Sequence, residues 1–113
     1  MKKFVFAQIL ILLSVSAFSR ILHVPADYLT IQNAVDAANI NDDTILVSPG
    51  TYSRFVVISK SLVIASLYLT TGDTSYISET IITGTLSNRA VKLEAYGSNL
   101  PVTLTGFTIK KWS

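Results

Sequence analysis

The chain has 113 residues, half of them apolar and 14% charged, with no cysteine and a formal net charge of +2. That length suits one domain, and the missing cysteines exclude both a disulfide scaffold and a lipidated cysteine anchor. Lys2 and Lys3, the apolar run Phe4 to Leu13 and the small-x-small triplet Ala17-Phe18-Ser19 predict a secretory signal peptide over residues 1–19, cleaved after Ser19. The apolar run is shorter than the roughly 20 residues a membrane span needs. Residues 20–113 are therefore expected to form a domain without a transmembrane segment, secreted, at the cell surface or in a periplasm. From Arg20 onward, seven Lys and Arg balance seven Asp and Glu. A neutral chain offers no electrostatic case for nucleic acid, where clustered cations must neutralise phosphates.

In chain order, Ile21 to Val24 reads as a short strand stopped by Pro25. Ile31, Ala34, Val35 and Ala38 fall at i, i+3, i+4 and i+7, which predicts a helix over 30–38 capped by the Thr30 hydroxyl. Asn39 to Asp43 favour a turn that closes it. Beyond it, residues 44–48, 55–59, 62–66, 80–84, 90–94 and 102–109 are rich in Val, Ile, Thr and Phe and read as strands. Ser48-Pro49-Gly50-Thr51 suits a type II turn, with Gly50 at the position that needs a positive φ. Lys60 and Ser61 leave too little chain for a hairpin, so a bend is expected there. Several strands are almost continuously apolar, which fits segments covered on both faces. Ile82-Thr83-Gly84 and Leu104-Thr105-Gly106 recur 22 residues apart, a spacing that a solenoid produces. A short chain without disulfides must bury its strands another way, and stacking onto more coils of its own kind supplies one.

The stretch "VPADYLTIQNAVDAANINDDTILVSPGTY", residues 24–52, resembles the start of secreted right-handed parallel β-helix proteins of the pectin-lyase-like superfamily. The resemblance implies an all-β solenoid whose first coil is covered by a short capping helix carrying Thr30, Ile31 and Gln32. It implies that Pro49, Gly50, Thr51 and Tyr52 end the next strand and that Gly84 and Gly106 close later rungs. The chain departs from the family where Asp42-Asp43 replaces Gly-Asp and where Ser66 replaces a common glycine. The resemblance further implies that residues 20–113 are N-terminal coils of a longer solenoid. Pectin methylesterases and pectate lyases share the fold, but their acting residues lie on later coils. No catalytic residue carries over, and Ca²⁺ enters only through the resemblance.

Candidate chemistry is sparse. His23 is the only histidine, and a strand-edge position accounts for it better than a Ser-His-Asp triad. Asp42, Asp43 and Asp73 read as solvated turn formers rather than as cation ligands, which must number six or more around Ca²⁺. Asp27, Asp36, Glu79 and Glu94 share no spacing, although stacking would bring Glu79 and Glu94 closer for acid–base work. Tyr68, Tyr76 and Tyr96 lie in polar excursions, where solenoids usually carry a binding face, and are candidate carbohydrate contacts. Trp112, beside Lys110 and Lys111, reads either as a cation–aromatic group suited to an acidic sugar or as a solvated strand end, and the sequence does not choose between them. The leading expectation is an exported β-helix that recognises polysaccharide. The alternatives are the N-terminal part of a polysaccharide-active enzyme, and an adhesin or spacer.

Overall fold

The computed structural model describes residues 20–39, 43–94 and 101–111. Residues 1–19, where a signal peptide is expected, and Asp42, Tyr96 and Trp112 lie outside them. Strand β1 (Ile21–Val24) leads to helix α1 (Ile31–Ala37), which starts where expected because the Thr30 hydroxyl accepts the Asn33 N–H at 3.0 Å. Strands β2 (Asp43–Val47), β3 (Gly50–Ser53), β4 (Phe55–Ile58) and β5 (Leu62–Ser66) follow with one to three residues between them. Helices α2 (Tyr68–Thr71) and α3 (Ser75–Glu79) interrupt the succession. Strands β6 (Thr80–Gly84), β7 (Val91–Glu94), β8 (Val102–Thr105) and β9 (Thr108–Lys111) complete it.

Every strand pairing is parallel. One sheet runs β1-β2-β5-β8, a second β3-β6-β9 and a third β4-β7. From β2 onward, strands adjacent in sequence belong to different sheets, whereas β1 and β2 pair directly, and among the described residues no hairpin forms. A parallel pair needs a long crossover; between β1 and β2 helix α1 lies on it, and in every later pair two intervening strands do. Strands take 47% of the described residues, so the class is all-β with parallel sheets. Among the described residues no helix is long and apolar enough to cross a membrane.

Register stacks like side chains into columns that fill the interior. Leu22 pairs with Ile45, Ile45 with Ile64 and Ile64 with Leu104, and the first three are buried. Phe55, Val57 and Ile82 fill the other two sheets' inner faces, and α1 adds Ile31, Ala34 and Val35. Burying one such side chain stabilises by about 1.5–3 kcal/mol. The columns lose cover at β7 and β9. Ile109 is 54% exposed where its neighbour Ile82 is 0%, and Leu93 is 50% exposed where Val57 is 1%.

Four local expectations need correction. Gly50 has a positive φ (152°), but it opens β3 instead of sitting third in a type II turn, and the Tyr52 hydroxyl ties the corner by donating to the Ser48 carbonyl at 2.6 Å. The strand expected over 102–109 is two strands in different sheets, split at Gly106 with φ 83°. The excursion after Ser66 is two short helices. The Ile-Thr-Gly and Leu-Thr-Gly triplets are not equivalent either, since Gly84 ends a strand of the second sheet and Gly106 follows one of the first. In the first sheet Ile21, Thr44, Val63 and Thr103 are successive partners, at offsets of 23, 19 and 40 residues. Excursions between strands stretch the last offset and hide any fixed period.

Asp43 also departs from expectation. It is fully buried, facing inward at the start of β2. Its Oδ1 accepts the Arg20 backbone N–H at 2.9 Å, and its Oδ2 accepts the Asn39 N–H at 2.8 Å and the Arg20 guanidinium at 3.2 Å. Burial pushes the carboxyl pKa up, but the two backbone hydrogen bonds and Arg20 together hold it below the ordinary carboxylate value. A depressed pKa contributes stability that is present above the unfolded-state value and lost as pH falls through the folded one. The melting temperature is therefore expected to hold from neutrality to just above about pH 4 and to drop below it. A thermal titration of Asp43→Asn should lack that acid limb.

Candidate functional site

The connection from β6 to β7 builds the most distinctive surface. Gly84 lies so close beneath it that a Cβ there would stand 2.6 Å from the Ala90 nitrogen and 2.7 Å from the Asn88 carbonyl oxygen. A glycine is thus what lets the loop fold back over its own strand. The loop closes on itself, with the Thr85 N–H donating to the Asn88 carbonyl at 2.9 Å and the Asn88 N–H to the Thr85 hydroxyl at 3.0 Å. From the preceding circuit Arg54 reaches up, its Nε donating to the Arg89 carbonyl at 3.0 Å.

Two clefts flank this loop. One, of about 360 Å³, is lined by residues 85–90 and by Ile109, Lys110 and Lys111. The other, of about 270 Å³, is lined by Arg54, Ser87, Asn88, Arg89 and Lys92. Ser87, Asn88 and Arg89 are common to both, so the clefts adjoin. Arg54 belongs to the first circuit, Arg89 and Lys92 to the second, and Lys110 and Lys111 to the third. Parallel strands lie about 4.8 Å apart, so charge recurs along the stack at one corner. Among the described residues neither cleft is lined by a carboxylate, and Lys92 is paired with Glu94 at 2.6 Å. Lys110 and Lys111 were legible as candidates. Arg54, Arg89 and Lys92 were not, because their proximity depends on strand register.

The other candidates are not brought to this corner. Tyr68 and Tyr76 are half-buried on α2 and α3, which connect the first sheet to the second. Tyr68 packs over Gly106, where a Cβ would come within 3.2 Å of the Tyr68 Cβ. Glu79 ends α3 just before β6, whereas Glu94 ends β7 in another sheet, so the two stand at different corners. Asp73 holds the turn it was expected to hold, accepting the Ser75 N–H at 2.9 Å and its hydroxyl at 2.8 Å; those bonds lower its pKa. The Asp27 carboxylate accepts the His23 backbone N–H at 3.1 Å, a turn contact. Among the described residues no three His, Asp or Glu side chains are grouped as a metal set.

Thr30, Ile31 and Gln32 do structural work on α1. The Gln32 amide completes the open edge of β4, its Oε1 accepting the Val56 N–H at 2.8 Å and its Nε2 donating to the Val56 carbonyl at 3.1 Å. Comparison with family models, curated proteins and solved structures finds no match to this chain.

Proposed function

We propose that this chain forms N-terminal coils of an exported right-handed parallel β-helix of the pectin-lyase-like kind, and that its basic corner binds an anionic polysaccharide. The cyclic visiting of three parallel sheets supports the fold reading, since each circuit returns one strand position along every sheet. The hand follows from the strong preference of parallel crossovers for a right-handed path. α1 serves as the lid of the first coil. Further coils laid on β7, β8 and β9 would cover Leu93, Ile109 and the half-buried Leu104.

The binding reading rests on one observation. A stretch with equal numbers of cations and acids from Arg20 onward gathers Arg54, Arg89, Lys92, Lys110 and Lys111 around one loop. Self-repulsion of that kind is tolerated where a polyanion neutralises it. An acidic polysaccharide carries a carboxylate at regular steps along an extended chain, and the corner offers cations once per coil. A rigid stack suits such a polymer because little of the protein must be ordered on binding. Single-stranded nucleic acid would call for aromatic platforms beside the cations, and the described aromatics Tyr68 and Tyr76 stand at another corner.

Polygalacturonate and dextran, titrated calorimetrically against the full exported chain, test this reading. Polygalacturonate should bind, more weakly as salt rises, and dextran should not. Arg89→Glu combined with Lys110→Glu should weaken binding by at least about tenfold and leave the fold intact. Equal binding of the neutral polymer, or indifference to both salt and the double variant, would sink the proposal.

A further inference from the structure

We propose that removal of the leader at the Ser19–Arg20 bond is a folding switch: the new α-ammonium of Arg20 locks onto the buried Asp43 carboxylate. The expected cleavage point falls immediately before the residue whose backbone nitrogen lies 2.9 Å from Asp43 Oδ1. That distance fits both an amide and an ammonium donor, so the charged form needs no movement of either atom. The nitrogen is also held in place from its other side, because the Arg20 carbonyl accepts the Thr44 N–H at 2.9 Å and continues the β1–β2 ladder.

The covalent step is a hydrolysis. A processing endopeptidase that recognises small-x-small sites adds water across the amide. The C–N bond breaks, the Ser19 carbonyl leaves as a carboxylate, and the Arg20 nitrogen takes up protons to become an ammonium. Before the cut, that nitrogen is a neutral amide with one hydrogen to donate. After it, the same atom carries a full charge and three hydrogens, against an acid with no exposure to water. Charged partners interact far more strongly at such a site than at the surface.

The surroundings favour this change. Asp43 is the carboxylate in direct contact with the nitrogen. Its second oxygen takes Arg20's own guanidinium, which also donates to the Ala37 carbonyl at 3.0 Å, so the two cations use opposite oxygens. Lys60, between β4 and β5, spends its ammonium at the end of α1 on the carbonyls of Val35, Asp36 and Ala38 at 2.6, 3.2 and 3.0 Å. The Asp36 carboxylate takes the Gln32 amide at 3.0 Å. Asp27 lines a cleft of about 530 Å³ beside Arg20 and is engaged by the His23 N–H. The precursor lacks the ammonium and so folds less stably, which keeps it open for export. The mature chain gains the missing charge at the moment of release. None of this depends on what the basic corner binds.

The pair acts within a pH window. Asp43, with its lowered pKa, supplies its charge above the acid range. An opposite charge beside an ammonium favours its charged form, so its contribution should be complete below the ordinary α-amino value of about 8 and be lost as pH rises above it.

The test begins with the full chain expressed in a secreting host. The exported form should have the mass of residues 20–113; a different N-terminus overturns the proposal. Competitive acetylation against pH should then show the α-amine reacting at least about tenfold more slowly at pH 8 than a free α-amine. A normal rate overturns it. In Asp43→Asn the rate should return to normal. A second form, independent of how well that variant folds, carries one added alanine before Arg20, leaving the Arg20 nitrogen an amide. It should melt about 5 °C lower at neutral pH, with the difference vanishing in strong base; equal melting at neutral pH overturns the switch.

Discussion

Gln32→Ala should lower the unfolding free energy by about 2–3 kcal/mol, a fall in melting temperature of about 10–20 °C. The side chain is polar and sits on the less apolar side of a short helix, so propensity alone suggests a near-neutral change. Its value comes from the sheet beneath. Val56 lies on β4, whose strand partner among the described residues is β7, and the Gln32 amide satisfies the Val56 N–H and C=O on the opposite edge. Truncation leaves both groups under α1 without their partner, and each costs about 1–3 kcal/mol when it cannot be rehydrated. Water entry returns part of that loss, which sets the lower figure. Amide exchange gives the specific readout, because the Val56 N–H should lose protection while the amides of β2 and β5 fall only by the global change. Asn33→Ala, on the exposed side of the same helix, should stay within about 0.5 kcal/mol.

Gln32→Glu sharpens the point. A carboxylate still accepts from the Val56 N–H, but its second oxygen meets the Val56 carbonyl oxygen and stands near Asp36. The variant should be destabilised relative to the parent at neutral pH and should approach it in acid, where a protonated carboxyl donates again. The comparison is made at matched pH, since Asp43 weakens both chains there.

The second large effect is expected at Gly106. Its φ of 83° is a region in which a Cβ costs about 1–2 kcal/mol. An added Cβ would also strike the buried Ser66 hydroxyl and crowd the Tyr68 Cβ. Overpacking of this kind adds about 1–3 kcal/mol, so Gly106→Ala should cost about 2–5 kcal/mol in all. Gly72 separates the two contributions. It has nearly the same backbone, φ 72°, but nothing lies within 4 Å of a Cβ there. Gly72→Ala should therefore show the backbone cost alone. Introducing Ser66→Gly with Gly106→Ala should recover most of the steric part, and denaturant melts of the four chains make the cycle. Equal effects at Gly72 and Gly106 would mean that the close approach to Ser66 is not energetically important.

Ser66 and Gly106 are register partners on adjacent strands, which follows from Ala65 pairing with Thr105. One position in the column carries a small polar residue and the next must carry none. The sequence shows a serine where the β-helix resemblance anticipates glycine, and the glycine after the paired strand β8 compensates. Such compensation across 40 residues is invisible in a local window, whereas contact between the two side-chain positions makes it obligatory.

What could be read without coordinates is what lies within a few residues along the chain. The i, i+3, i+4, i+7 spacing of Ile31, Ala34, Val35 and Ala38 placed α1, and the Thr30 hydroxyl marked its start, because both depend on one turn of backbone. The β-branched runs placed β2, β4, β5 and β6 for the same reason. Strand β3 was missed because Gly50-Thr51-Tyr52-Ser53 has the composition of a turn, and its pairing with β6 overrides that preference. Asp43 read as a solvated turn residue, yet its partner Arg20 is 23 positions away and comes beside it only when β1 pairs with β2. The basic corner has the same origin. Local chemistry depends on the residue and its neighbours, whereas parallel pairing sets which distant residues become neighbours, and that choice belongs to the packed columns of the whole stack.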